Sequence, residues 1–539
     1  MTEQAAPQER LGIVVAGSSA EGVDVKLDQA ISVEDIVLGR YVTIQGEKRR
    51  FFGMITQVSL ESSNPQVSIM PPDVSDPFIS KVVSGTTTYG RIRVLPMLTV
   101  GADAASLLEG PQPVKTVPAH FSPVFHASQQ DVEIVFGKEG GSQFHIGTPL
   151  DMETKVCLNL GEFVKRSNGV FGKTGTGKTF LTRLLLIGIL QSRAAVSLVF
   201  DMHSEYGWEV MNEKGYRVKG LKQHFPSKVQ VFTLDEDSAR RRKVSADSVV
   251  KIAYSEIEPE DIELLRQTLR LTEPAVQASY QIAHKYGDRN WMETLFSPEV
   301  EQNEDFARSL NIHESTYRNL RRGLETLRRF PFLVPGGEGN SVQRILESLD
   351  RDINVILEFG RFEDYTAYIL VANLLSRRIY AKYREKVERA LGEGLPKPHP
   401  LVITIEEAHR FLNPELCNQT IFGTIAREMR KYNVSLLIVD QRPSGIDPEI
   451  MSQLGTKITC LLDNEQDVDS VLAGISGRSE LKSVLARLES RQQALIFGHA
   501  VSMPVVVRTR EYGSAESYKE LAGGGKRLSQ EKGADDLWS

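Results

Sequence analysis

The chain has 539 residues, too many for one ordinary hydrophobic core, so we expect two to four domains or subdomains. Its hydrophobic content of 41% and charged content of 25% are those of a globular protein. The net charge of −6 excludes a general attraction to nucleic acid, although it does not exclude a local basic channel.

Cysteine spacing and hydropathy indicate the cellular compartment. The three cysteines are widely separated, which predicts no disulfide framework and no metal site and fits a reducing cytosol. No signal peptide is recognisable, and no apolar run approaches the roughly 20 residues that cross a bilayer. We therefore expect a cytoplasmic protein without membrane segments.

Residues 1–112 are predicted to form a small β-barrel. Short runs of alternating or β-branched residues, separated by Gly, Asn and Pro, indicate five or six strands at short spacing. The mixed segment 113–145 is predicted to be a linker that carries one further strand in the sequence DVEIVFG.

Residues 146–510 are predicted to form a parallel α/β core, because apolar strands there alternate with long helical stretches. The apolar residues of these strands are consecutive, as in strands covered on both faces. Residues 255–350 are predicted to be a helical insertion and residues 511–539 a polar C-terminal tail. The predicted core strands are VSLVFD (196–201), INVILEF (353–359), LVITIE (401–406), VSLLIVD (434–440), KITCLL (457–462) and QALIF (493–497).

The sequence GKTGTGKT at 172–179 has the GxxxxGK[ST] spacing of a phosphate-binding loop, between a short apolar strand and a helical run. Glycines allow backbone N–H groups to surround a phosphate, and the N-terminus of the following helix favours the anion. Lys178 is expected to reach the β- and γ-phosphates of ATP, and the Thr179 hydroxyl to ligate Mg²⁺. The predicted nucleotide-binding residues are Gly172, Lys173, Thr174, Gly175, Thr176, Gly177, Lys178 and Thr179.

Two carboxylates, Glu406 and Glu407, end the predicted strand 401–406. By position, Glu406 would serve the Mg²⁺ shell, directly or through water, and Glu407 would polarise the attacking water. The alternative is a solvated strand end that opens a helix, where Glu is favoured in any case.

Asp201 ends another predicted strand, at the edge where open α/β sheets bind ligands. It could join the magnesium shell or fix a neighbouring side chain. His203 and Glu205 follow on the same loop, but two ligands without a third are weak evidence for zinc.

A helical run carries Arg427 and Arg430, three residues apart on one face, before a strand that ends near Gln441. An arginine delivered to the γ-phosphate accelerates hydrolysis, and a polar residue at a strand end can sense that phosphate or orient the water. Ordinary surface arginines are the alternative. Two other basic stretches, 240–243 and 318–329, are candidates for DNA contact, although charge runs are more often solvated faces.

The motifs GKTGTGKT, DMHSEY, IEEAHRF, AREMRKY and LLIVDQRPSGID, in this order and preceded by Arg166, resemble the HerA-like ATPases, hexameric DNA translocases related to FtsK. The resemblance implies a RecA-like P-loop core and an N-terminal barrel of the HAS type. It also implies a homohexamer with ATP between subunits, where Arg427 or Arg430 reaches in from the neighbour. Arg166 would lie near the nucleotide and Gln441 would be the polar sensor. Glu406 stands where the family more often has Asp.

The resemblance implies ATP-driven movement of double-stranded DNA through the ring, in DNA end resection with a NurA-type nuclease or another effector docked on the barrel. A second interpretation is a ring scaffold in phage defence, in which ATP regulates an effector such as a nuclease or an NADase. A third is a protein-remodelling ATPase, whose turnover would be indifferent to DNA.

Overall fold

The computed structural model describes residues 10–521, apart from 20, 74, 87, 102–109, 151, 212–215, 302–304, 337–338, 363, 418–419, 429–430, 476 and 490–491. The first nine residues of the predicted barrel and residues 522–539 of the predicted tail therefore lie outside the described residues. Within the described part, none of the helices combines the length and apolar character needed to cross a membrane.

The N-terminal region contains a closed β-barrel of six strands. Alternation creates its interior: along Gly22–Leu27, for example, Val23, Val25 and Leu27 are buried while Asp24 and Lys26 are partly exposed. The barrel closes because Gly22–Leu27 pairs with the first strand on one side and with Thr88–Gly101 on the other. The strands in spatial order are Gly22–Leu27, Arg10–Ser18, Pro123–His126, Tyr41–Gln45, Arg49–Ser62 and Thr88–Gly101, and Gln112–Pro113 adds to the last of them.

The segment expected to be a linker is largely ordered, and two expectations about it were wrong. Pro123–His126 is a barrel strand, with Val124 fully buried in the barrel interior. The sequence DVEIVFG lies mainly in the helix Gln129–Phe136. A reciprocal cap explains the helix, because Ser128 Oγ accepts from the backbone N–H of Asp131 and the Asp131 carboxylate accepts from that of Ser128.

The core contains a twelve-stranded mixed sheet. Its first eight strands in spatial order pair in parallel, and the remaining pairings are antiparallel. The six strands predicted from consecutive apolar residues are all present. The spatial order is Ser248–Val249, Val229–Thr233, Asn354–Glu358, Val196–Asp201, Leu401–Glu406, Val434–Asp440, Asn168–Phe171, Thr456–Thr459, Gln493–Gly498, Val505–Thr509, Gln143–Thr148 and Val156–Asn159.

Helices form most of the connections between successive strands of this sheet. In the barrel region, the helices Pro65–Ile69 and Pro77–Thr86 lie in the connection between Arg49–Ser62 and Thr88–Gly101. Beyond the barrel, two short strand pairs join 210–211 with 217–218 and 252–253 with 333–334. The helices of the core outside the insertion are Leu160–Phe163, Lys178–Ser192, Leu221–His224, Glu236–Arg241, Tyr365–Glu393, His409–Leu412, Ile421–Glu428, Pro448–Gln453, Glu465–Val471 and Arg478–Leu485.

The predicted insertion is helical and has its own buried residues. Trp291 is fully buried, and its indole N–H donates to the Ile257 carbonyl at 2.9 Å. Leu320 and Leu324 are also fully buried on one face of Glu314–Arg328. The insertion's helices are Pro259–Leu264, Glu273–Tyr286, Trp291–Leu295, Pro298–Glu301, Phe306–Ser309, Glu314–Arg328 and Ser341–Asp350.

The start of the predicted tail packs on the core instead of leaving it. Residues 515–521 are helical, and Gln191 Nε2 donates to the Leu521 carbonyl at 2.7 Å. Leu521 is buried because it meets the helix that follows the phosphate-binding loop. The barrel is likewise joined to the core, since the Tyr41 hydroxyl donates to the Pro504 carbonyl at 3.2 Å.

Candidate nucleotide-binding site

The phosphate-binding loop follows the strand Asn168–Phe171, which lies inside the sheet between Val434–Asp440 and Thr456–Thr459. The loop ends at the helix Lys178–Ser192. Gly175 and Gly177 have φ values of 80° and 93°, a region in which residues with a Cβ are strained. The loop thus bends tightly into the N-terminus of the helix, where an anion is favoured.

Polar side chains within the loop hold its shape. Lys178 Nζ donates to the Lys173 carbonyl at 2.8 Å, and Thr176 Oγ1 donates to the same oxygen at 2.7 Å. Lys173 extends the other way and pairs with Asp463 at 2.9 Å. Burial lowers the pKa of Lys178. A bound phosphate would offer this partly buried ammonium a stronger partner than a neutral carbonyl.

Two carboxylates suited to magnesium, Glu205 and Glu406, lie near the end of the phosphate-binding loop. Thr179 Oγ1 donates to Glu205 Oε2 at 2.9 Å, and the Tyr206 hydroxyl donates to Glu406 Oε1 at 2.9 Å. Glu406 is only 7% exposed, and within the described structure its other oxygen has no hydrogen-bond partner. Burial, followed by the charges of Asp201 and Glu205, raises the pKa of Glu406 well above its usual value. A cation here would stabilise the ionised carboxylate, so these residues fit Mg²⁺.

Asp201 fixes the conformation of the loop that carries Glu205 and Tyr206. Its two carboxylate oxygens accept from the backbone N–H groups of Glu205 and Tyr206, each at 2.8 Å. Asp201 is fully buried, and burial together with the charge of Glu358 raises its pKa to about 7. This geometry favours the role of fixing a neighbour over a place in the magnesium shell. Among the described residues, no cluster of three His, Cys, Asp or Glu side chains could hold a metal ion, so His203 gains no support as a zinc ligand.

Glu205 is a site residue that the sequence indicated only as a weak candidate for a zinc ligand. Its carboxylate contacts the loop threonine because Asp201 turns the chain back toward the sheet edge. The signal in the sequence is a carboxylate four residues after the strand-ending Asp201, within the strand-edge loop DMHSEY.

Glu407 is held in an unusual conformation directly after its strand. Its φ of 49° lies in the left-handed region, which residues other than glycine seldom adopt and which often marks functional sites. Gln441 Nε2 donates to Glu407 Oε1 at 2.9 Å, and Gln441 Oε1 accepts from Thr174 Oγ1 at 2.5 Å. The structure therefore joins the phosphate-binding loop, the predicted sensor and the predicted catalytic carboxylate in one hydrogen-bonded chain.

His409 and Asp440 support this turn, and the sequence analysis assigned neither of them a role. Asp440 is almost fully buried and accepts from the backbone N–H of His409 at 2.7 Å and from its Nδ1 at 3.0 Å. This hydrogen bond raises the pKa of His409, whose ring lies 3.6 Å from Glu407 Oε2. The pair anchors the turn that carries Glu407.

Arg166 is the predicted nucleotide contact that lies farthest from the motif residues along its strand. It precedes the amino end of the strand Asn168–Phe171, whereas the phosphate-binding loop follows the carboxyl end. The strand therefore separates Arg166 from the loop of its own chain, and the side chain packs beside Gly455 instead. Its assignment as a residue near a nucleotide bound between subunits stays a prediction.

The predicted arginine finger is only partly described. Arg427 is in the helix Ile421–Glu428, where its side chain is 26% exposed and its Nε lies 3.4 Å from a Glu449 carboxylate oxygen. Arg430 lies outside the described residues. The finger assignment stays a prediction.

Acidic partners accompany both basic stretches that were considered for DNA contact. The pairs reduce the net charge of each surface, and we assign no DNA contact to either stretch. The pairs are Arg240 with Glu236, Arg242 with Glu358, Arg318 with Glu314, Arg328 with Glu325, and Arg329 with Asp364.

The chain is similar in sequence to proteins named as DNA repair helicases. Residues 144–379 match the family model described as the central domain of helicase HerA. The chain is 26% identical over 441 residues to the DNA double-strand break repair helicase HerA of Pyrococcus furiosus, with 77% of each chain covered. It is 23% identical over 532 residues to the protein of the same name from Sulfurisphaera tokodaii, covering 97% of this chain and 96% of that one. The solved structure of VirB4 from Thermoanaerobacter pseudethanolicus aligns with a TM-score of 0.46 at 14% identity, covering 70% of this chain and 99% of that chain.

Proposed function

We propose that this chain, a HerA-like ATPase with a P-loop core, uses ATP hydrolysis to move double-stranded DNA through a homohexameric ring. The observation that carries the proposal is the chain of hydrogen bonds from Thr174 through Gln441 to Glu407. It links the loop that would bind the phosphates to the carboxylate that would act on the water.

Different residues of the site would bind the phosphates and the metal ion during phosphoryl transfer. The loop from Gly172 to Lys178 would bind the β- and γ-phosphates through backbone N–H groups and one ammonium. Mg²⁺, when bound, supplies positive charge to the phosphates, and Thr179 with Glu406 and Glu205 would hold it.

Glu407 would accept a hydrogen bond from the attacking water and orient it toward the γ-phosphate. Gln441 holds that carboxylate from one side, and His409 faces it from another. Hydrogen bonds that fix a catalytic group in advance reduce the cost of ordering it during the reaction.

The ring would complete the site. Arg427 or Arg430 of one subunit would approach the γ-phosphate bound to its neighbour and stabilise the charge that develops there. To do so, Arg427 would have to exchange Glu449 for phosphate. The rate of hydrolysis would then depend on how closely the two subunits approach each other at this interface.

The DNA and partner assignments rest on similarity to proteins named as double-strand break repair helicases. We propose that the barrel docks a NurA-type nuclease or another effector, so that the ring feeds DNA into end resection. Exposed apolar side chains on the barrel's long hairpin and its inserted helices offer a surface of that kind. They are Leu60, Ile69, Met70 and Phe78, each at least 75% exposed.

The test is steady-state ATP hydrolysis with and without linear duplex DNA, beside Lys178→Ala and Glu407→Gln. We expect DNA to stimulate hydrolysis several-fold and either substitution to abolish the stimulated rate, because one removes phosphate binding and the other removes the water's acceptor. Glu407→Gln should still bind ATP.

A rate indifferent to DNA would contradict the translocase and favour a protein-remodelling ATPase. If an isolated effector is activated as well by Glu407→Gln as by the native ring, the scaffold interpretation is correct instead. In that case ATP binding, without hydrolysis, is what the effector requires.

A further inference from the structure

A cavity of about 620 Å³ adjoins the phosphate-binding loop. Its floor is the backbone of Gly175–Gly177 and the first turns of the helix Lys178–Ser192, and its roof is the chain from 509 to 515. The volume falls within the range of roughly 300–1,000 Å³ that small-molecule sites occupy. Side chains that line it include Phe180, Leu181, Leu184 and Tyr512.

The cavity lies on the side of the loop away from the catalytic carboxylates. Its wall contains neither Glu406 nor Glu407, and Glu407 is linked to the loop through Gln441 and Thr174. The γ-phosphate of a bound nucleotide must face those carboxylates, so the α-phosphate and the nucleoside leave the loop in another direction. The cavity opens directly beside the loop and offers apolar and aromatic side chains, which suit the faces of a base.

We propose that this cavity receives the nucleoside of the bound nucleotide, with the Tyr512 ring forming a wall against the base. The inference rests on the proposed ATPase function and adds to it the part of the protein that holds the base. It gives the segment 509–515 a binding role, although the sequence analysis placed most of that segment in a tail.

Tyr512 is held in place before any ligand arrives. Its hydroxyl donates to the Lys219 carbonyl, and its ring packs against Tyr518 and Phe180 at centroid distances of 5.7 and 6.4 Å. The backbone N–H of Lys219 in turn donates to the Tyr518 hydroxyl at 2.9 Å. An aromatic ring fixed from several sides loses little conformational freedom when it contacts a base.

The first experiment separates binding of the base from binding of the phosphates. In a Glu407→Gln background, the affinities for ATP and for inorganic tripolyphosphate are measured by calorimetry with Mg²⁺, for Tyr512→Ala and Tyr512→Phe. Tyr512→Ala should weaken ATP binding by about tenfold, as loss of one aromatic–base contact does, and should change tripolyphosphate binding by less than about twofold. Tyr512→Phe keeps the ring and should bind both as the parent does.

A second variant fills the cavity from another position in the same segment. Ala515 lines the cavity and is exposed, so Ala515→Trp introduces bulk without disturbing buried packing. Glu516→Trp, at the next exposed position and outside the cavity wall, is the matched control. Ala515→Trp should reduce ATP affinity at least tenfold and spare tripolyphosphate, while Glu516→Trp should change neither.

The outcomes distinguish this inference from the proposed function. Unchanged ATP affinity in both Tyr512→Ala and Ala515→Trp overturns the base pocket and leaves the ATPase standing. Equal losses of ATP and tripolyphosphate also overturn it, because the substitutions would then act on the phosphate-binding loop. If the parent binds neither compound, it is the ATPase proposal that fails.

Discussion

Replacing Gln441 with alanine should slow ATP hydrolysis strongly while leaving ATP binding almost intact. The Gln441 amide donates to Glu407 at 2.9 Å and accepts from the Thr174 hydroxyl at 2.5 Å. The substitution therefore removes the hydrogen bond that orients the proposed catalytic carboxylate. It removes no hydrogen bond of Lys178 or Thr179, whose partners are Lys173 and Glu205.

The expected size follows from the bond that is lost. A hydrogen bond to an ionised group contributes about 1.5–3 kcal/mol, and each 1.36 kcal/mol is a factor of about ten in rate. The Glu407 side chain is 19% exposed, so water can replace part of the lost bond and the lower half of that range applies. We expect kcat to fall by about 10- to 50-fold and KM for ATP to change by less than about threefold.

The assay is steady-state hydrolysis at saturating linear duplex DNA, in a cycle with Thr174→Val. The valine is close in shape to threonine but lacks the hydroxyl that fixes the Gln441 amide. If that hydroxyl acts through Gln441, Thr174→Val alone lowers kcat and adds little to Gln441→Ala. Strictly additive losses would show that Thr174 acts independently of Gln441.

The refuting result is a kcat for Gln441→Ala that is unchanged or higher than that of the native protein. A higher rate would mean that the contact with Gln441 restrains Glu407 and must break before hydrolysis. An unchanged rate would mean that Glu407 is oriented without it.

Two further predictions concern the neighbouring subunit and the turn that carries Glu407. Subunits with both Arg427→Ala and Arg430→Ala should recover part of the hydrolysis when they are mixed with Lys178→Ala subunits. The reason is that some interfaces between the two kinds of subunit then hold one intact site. If rings shown to be mixed recover no hydrolysis at any ratio, the shared site is contradicted. The pKa of His409 is raised in the folded protein, so the contact of its ionised ring with Asp440 stabilises the fold fully at pH values below 6.5, the pKa in the unfolded chain. This stabilisation is lost as the pH rises through the pKa of the folded protein. His409→Asn should therefore lower the urea midpoint more at pH 6 than at pH 9, and an equal shift at both pH values would contradict an ionised His409 held by Asp440.

Patterns of apolar residues predicted the core strands well, since strands buried on both faces must be apolar throughout. Val196–Asp201, Leu401–Glu406 and Val434–Asp440 begin and end at the predicted residues. The same reasoning failed for DVEIVFG. Its β-branched residues favour a strand, but the cap formed by Ser128 and Asp131 starts a helix whose buried face includes Val132 and Phe136.

The site was predictable where a motif is local in sequence and less so where it depends on tertiary contacts. The loop 172–179 and the pair Glu406–Glu407 could be identified from spacing alone. The contact of Glu205 with Thr179 and the support of His409 by Asp440 join separate loops. The position of Arg166 before the amino end of its strand likewise depends on the fold and not on its distance from Lys178 along the chain.

The strand Val505–Thr509 joins the two regions to which the sequence analysis assigned separate roles. At its start, the Tyr41 hydroxyl of the barrel donates to the Pro504 carbonyl and accepts from the Val506 N–H at 3.1 Å. At its end, the chain enters the roof of the cavity beside the phosphate-binding loop. The strand is paired on both sides, with Gln493–Gly498 and with Gln143–Thr148. Because the barrel is the proposed docking site of an effector, this strand connects the proposed base pocket to that site through the two hydrogen bonds of Tyr41.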